Sequence, residues 1–219
     1  MQDLYTQTHS PSKALETNKV LRNTYALLAM TISFSAVTAV AAMAMNVPFM
    51  GLWMLLPYIA LLFAVEKTKN SGWGILFVFA LTGWLGFTLG PILNAYLGNV
   101  GIEPILTALG GTALIFFGLS GYTLVTRKDF SFLTGFIMTS ILVAFIAGLA
   151  SVLFNISGLA LAVSCMFLVL SSLMIMWQTS QIIHGGETNY ISATVALYVS
   201  LYNIFTSLLH ILGVFGGDE

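Results

Sequence analysis

The residues of this chain best suited to chemistry lie near its end. Ser192, Ala196, Ser200, Asn203, Ser207 and His210 follow one another at steps of four, four, three, four and three. At helical periodicity that spacing draws one polar stripe along a helix. Upstream, Ser164, Ser171 and Gln178 repeat at intervals of seven, again a single face. Hydroxyls and amides turned toward lipid would go unpaired, so both faces must point into protein or water. Two readings are open. The stripes glue helices together by hydrogen bonds and close packing of small residues. Alternatively, Gln178, Ser200, Asn203 and Ser207 line a polar pathway or gated cavity.

Other chemistry is harder to assemble. Gly118-Leu119-Ser120-Gly121 looks like the serine motif of rhomboid intramembrane proteases, and such a serine needs a base within hydrogen-bond reach. Ser120 and His210 belong near opposite ends of their spans, on the order of 20 Å apart at ~1.5 Å per residue. Gly110, Gly111, Gly118 and Gly121 are therefore read as a small-residue packing face, and no catalytic residue is expected. In the loop His184-Gly185-Gly186-Glu187-Thr188-Asn189, His184 and Glu187 are the candidates for a pH response, against the plainer reading of a solvated turn. Cys165 stands alone in the sequence. Neither a disulfide framework nor a metal cluster is expected, and no cofactor is implied.

The elements that position these residues follow from charge and hydropathy. Of 219 residues, 58% are apolar and 7% charged, with mean hydropathy +0.95. A soluble domain carries about 25% charged residues, so the composition excludes a soluble enzyme. Seven Lys and Arg against eight Asp and Glu leave no basic field for nucleic acid. Long charge-free stretches, divided at Asn46-Val47-Pro48 and at Asn155-Ile156-Ser157-Gly158, predict an all-α integral membrane protein. Its seven spans fall near 24–45, 50–65, 72–97, 104–125, 131–154, 159–182 and 190–214. The continuous apolar runs disfavour a β-barrel. Pro57 and Gly90-Pro91 are expected to kink their helices. No Asp, Glu, Lys or Arg falls at mid-membrane, which removes the usual titrating group of a proton relay or ion-coupled pump.

All seven cations fall on one side of these spans. The positive-inside rule puts that side, and the N-terminus, in the cytoplasm, with the C-terminus outside. The first span reads as a signal anchor rather than a cleaved leader. Residues 1–22 are polar and charged and are expected to be a flexible cytoplasmic tail, with 23–219 forming the transmembrane domain. The long polar stripe makes span seven the central helix, with span six packed beside it.

The stretch from Ile182 through His184-Gly185-Gly186-Glu187-Thr188-Asn189-Tyr190 to Leu197-Tyr198-Val199-Ser200-Leu201-Tyr202-Asn203 closely resembles the Bax inhibitor-1 family. So do Lys19-Val20-Leu21-Arg22-Asn23-Thr24-Tyr25, Gly90-Pro91-Ile92-Leu93-Asn94 and Thr126-Arg127-Lys128-Asp129-Phe130-Ser131-Phe132-Leu133. The resemblance spans essentially the whole chain. It implies a seven-helix bundle whose last helix is surrounded by the other six. For the bacterial branch it implies an inner-membrane protein that binds the membrane-anchored ATP-dependent protease FtsH and restrains it, without enzymatic activity of its own. A protease of that kind would engage the tail, making Lys13, Glu16, Lys19 and Arg22 the candidate contact residues. Other members are pH-sensitive calcium leak channels with two intramembrane aspartates as sensor. The matching positions here are Gln178 and Ser200. Neither can lose a proton near neutral pH or compensate a hard cation's charge, so calcium or proton passage is the weaker implication. A hydrogen bond between Gln178 and Ser200 holding the bundle closed is the expected remnant.

Overall fold

The computed structural model describes residues 11–216, with side chains from Leu15 onward. Seven α-helices run in chain order: α1 Pro11–Ala44, α2 Leu55–Thr68, α3 Trp73–Asn99, α4 Glu103–Thr126, α5 Thr134–Leu153, α6 Ser157–His184 and α7 Tyr190–Gly216. Short 3-10 turns at Gly51–Met54 and Ser131–Leu133 lead into α2 and α5. With the first of those turns counted into α2, all seven helices are long and apolar enough to cross a membrane. Among the described residues there is no strand.

The expected domain boundary at residue 22 falls inside α1, which is continuously helical from Pro11. Residues 1–10 of the expected tail lie outside the described residues. Pro57 falls at the start of its helix rather than inside it. It stands third in α2, where a missing N–H costs nothing because first-turn amides have no intrahelical partner. Pro91 lies inside α3, which continues through it to Asn99.

Helix α7 is the axis of the bundle. From Tyr190 to Gly213 none of its residues is exposed. It packs against α1, α2, α3, α4 and α6, while α5 packs on α6 instead. The ring around the last helix is therefore five helices rather than six.

The tightest seam joins α1 to α3. Gly83, Gly86 and Gly90 line one face of α3 at steps of three and four. A Cβ at Gly83 would meet the Phe34 ring at 2.6 Å. One at Gly86 would strike the backbone oxygen of Ser35, and one at Gly90 the side chain of Ala42. Small residues let two backbones approach, and in lipid that packing is a main source of association. The glycines singled out in α4 do less. A Cβ at Gly111 would near Leu208 at 3.1 Å, whereas one at Gly110, Gly118 or Gly121 would meet nothing within 4 Å.

Candidate functional site

Two sets of polar residues meet at α7, one on each flank. On the α1 and α3 flank, Thr194, Tyr198 and Tyr202 recur at steps of four. Tyr198 donates to the Thr82 carbonyl at 3.2 Å, so the Ser35 hydroxyl, 2.5 Å away, donates to the tyrosine oxygen. Tyr202 bonds Thr88 Oγ1 at 3.1 Å; that hydroxyl donates to the Leu85 carbonyl at 2.7 Å and so accepts from the tyrosine. Thr194 reaches the Thr24 carbonyl at 3.3 Å. Thr194 donates mainly to its own helix at the Tyr190 carbonyl, 2.7 Å away, so the two tyrosines carry the bonds to a neighbouring helix.

The opposite flank holds the stripe read from sequence. Gln178, Ser200 and Ser207 are buried and Asn203 is half-buried, so both stripes do face protein. The expected bond between Gln178 and Ser200 is absent. Ser200 donates to its own helix at the Ala196 carbonyl, 2.8 Å away, and Gln178 Nε2 is buried without a partner among the described residues. Register explains this. Ser164 and His210 are hydrogen-bonded at 2.7 Å across the antiparallel pair α6 and α7. Equal rise along both helices then sets Gln178 level with Ala196, one turn short of Ser200. Ser192, one turn the other way, likewise has a buried hydroxyl without a partner among the described residues.

His210 is already engaged. Ser164 donates to the Ala160 carbonyl at 3.1 Å, so its oxygen accepts from His210 Nδ1–H; that tautomer is assigned from the network. Ser120 Oγ accepts from the Tyr25 hydroxyl at 2.9 Å. Among the described residues no histidine bonds it.

The loops that carry the most distinctive sequence are built for shape. Gly185 ends α6 in the left-handed conformation, φ +78°, and Gly186 N–H closes the turn on the Gln181 carbonyl at 2.8 Å. Asn189 then caps α7, its Oδ1 accepting from the Ile191 and Ser192 amides. Its Nδ2 donates to the Lys69 carbonyl and to Asn70 Oδ1, tying this loop to the α2–α3 turn. Glu187 accepts from the Asn189 amide at 2.8 Å, while exposed His184 bonds the Ser180 carbonyl through Nδ1 at 2.9 Å. They serve the loop separately and are not joined to each other.

On the same end, Ser180 Oγ accepts from the Phe130 amide and donates to the Lys128 carbonyl, docking the α4–α5 loop on α6. There Asp129 accepts from the Ser131 amide at 2.8 Å, and that N–H holds its carboxyl below the usual carboxylate range. Lys69 pairs with Glu66, and this bond raises its ammonium pKa.

Of the tail residues, Glu16, Lys19 and Arg22 are exposed on the first turns of α1. Lys13 lies in the same helix, its side chain outside those described. All four share one helix.

Sequence reading missed the tyrosine flank and the α3 glycines. The spacings Thr194-Tyr198-Tyr202 and Gly83-Gly86-Gly90 were the available signals. The tyrosines escaped because their rings count as apolar while their hydroxyls do the pairing.

Comparison with known proteins agrees with this architecture. The family model described as Inhibitor of apoptosis-promoting Bax1 matches residues 17–217. An uncharacterised protein of Pseudomonas aeruginosa is 53% identical over 206 residues, 93% of each chain. The Escherichia coli K12 protein named modulator of FtsH protease YccA is 50% identical over 219 residues, all of both chains. An uncharacterised membrane protein of Vibrio cholerae is 42% identical over 219 residues, 99% of this chain and 98% of the other. A seven-helix bundle built around its last helix, matched by the family model from the first span to the last, makes this chain a member of the Bax inhibitor-1 family.

Proposed function

We propose that this chain is a non-catalytic inner-membrane protein that binds an FtsH-type protease and restrains it. The end-to-end 50% identity to the Escherichia coli modulator carries this reading. Residues 1–22 are the segment the protease engages, through Lys13, Glu16, Lys19 and Arg22, and 23–219 form the membrane domain. Placement of every Lys and Arg on one side supports a cytoplasmic N-terminus and an outside C-terminus. Deleting residues 2–16 abolishes degradation of the protein by the protease while the bundle's thermal midpoint stays unchanged. Unaltered turnover of the deletion overturns the assignment of the tail.

A second reading is supported by one observation, the amide of Gln178 buried without a partner among the described residues. On this reading Gln178, Ser200, Asn203 and Ser207 line a leak pathway for cations. Ion flux into liposomes at mildly acidic and mildly alkaline pH tests it, and no flux under either condition removes it.

A further inference from the structure

Helix α1 is longer than a bilayer requires. Its 34 residues extend about 51 Å, against a hydrocarbon thickness of about 30 Å. The excess is at its start. The approach of Thr194 Oγ1 to the Thr24 carbonyl, 3.3 Å, sets those residues at one level in two helices that leave the same end of the bundle. The first residue of α7, Tyr190, is then level with Val20. Residues 11–19 project beyond the beginning of α7 by about 14 Å. The stub is solvent-facing: Leu15, Glu16, Asn18 and Lys19 are exposed, and Leu15 is 70% so.

Local sequence encodes this helix. Ser10-Pro11 is a start signal, with a capping residue type followed by proline in the first helical position. Lys13, Ala14, Leu15, Glu16, Lys19, Leu21 and Arg22 are good helix formers. The stub also avoids the cost of nucleation, because it propagates from a span already helical. Its stability then rests on the propensities of its own residues, so one or two substitutions shift it measurably.

We infer that this helical stub is a latch on engagement, resting on the reading that a protease takes hold of residues 1–22. A protease that threads an extended chain has no extended chain from Pro11 onward until the stub unwinds. Unwinding is then a step in every encounter, and helix stability over 11–22 sets how often the bound protein is degraded rather than retained as a modulator.

Thr17 and Asn18 test the idea without touching the charged contact residues. The pairs Thr17→Gly with Asn18→Gly and Thr17→Ala with Asn18→Ala remove the same side chains but move helix stability in opposite directions. Degradation of the full-length protein by the protease in membrane vesicles is expected to be faster for the glycine pair and slower for the alanine pair, differing by about ten-fold. Equal rates, or a slower glycine pair, overturn the latch while leaving binding to the protease intact. Failure of the unaltered protein to bind the protease at all overturns the functional reading and the latch with it. Hydrogen exchange gives a readout free of the protease: amides of 15–22 are protected in the unaltered protein and lose protection in the glycine pair. Absence of protection in the unaltered protein also overturns the latch.

Discussion

The two flanks of α7 solve the same problem differently. Toward α1 and α3, Tyr198 and Tyr202 find acceptors on α3, and α1 and α3 are themselves packed closely across the α3 glycines. Toward α6, the extensive contact carries one side chain–side chain hydrogen bond among the described residues, Ser164 to His210 near the C-terminal end of α7. Toward the N-terminal end of α7, the amide of Gln178 and the hydroxyls of Thr179 and Ser192 are buried without partners among the described residues. A buried polar group left unpaired costs about 1–3 kcal/mol. The α1 and α3 flank has one such orphan, the Thr24 hydroxyl, beside the paired tyrosines; the α6 side holds more unused hydrogen-bonding capacity and fewer bonds across it. A polar stripe on a membrane helix does not by itself mark where the helix is held.

The comparison breaks first at Gly86. Gly86→Val places a Cβ on the Ser35 backbone, which cannot move aside as a flexible side chain would. The expected loss is about 3 kcal/mol or more, at the upper end of overpacking effects. Thermal unfolding in nanodiscs measures it, and a midpoint near that of the unaltered protein would mean the α1–α3 seam is loose.

Tyr198→Phe comes next. It removes the bonds to Ser35 and Thr82 while keeping the ring. Hydrogen bonds between membrane helices average about 0.6 kcal/mol and reach about 1.7, so about 1 kcal/mol of destabilisation is expected in the same assay. A neutral result would strip the tyrosine flank of its role.

The smallest effect belongs to Gln178→Leu on the opposite flank. Its Nε2 has no partner to lose among the described residues, so stability stays level or rises by up to about 1 kcal/mol. A clear loss of stability would show that the amide is satisfied within the seam, and the contrast between the flanks would vanish.

Several of these features were legible in the residues alone. The spans were, because each charge-free run is long enough to cross a bilayer, and α7 as the axis was, because polar groups on a membrane helix must turn inward. The α4 glycines misled because spacing names a face without naming what the face meets. Gln178 and Ser200 misled for a related reason: matching positions on neighbouring helices do not guarantee contact. A register that sets Gln178 against Ala196 leaves them a turn apart. The expected tail misled in its second half, since composition weighs polarity while the helix at Pro11–Ala44 propagates outward from its apolar portion.

By itself the sequence determined that this chain lives in a membrane as seven helices, with its cations at one end and its polar stripe turned inward. These follow from transfer free energies that each segment meets alone, whatever its neighbours. Only the tertiary structure decided which flank of α7 is bonded, which glycines admit a backbone, and how far α1 projects. Those depend on the relative height and rotation of pairs of helices, and a shift of one helical turn, about 5.4 Å, is enough to make or unmake every such contact.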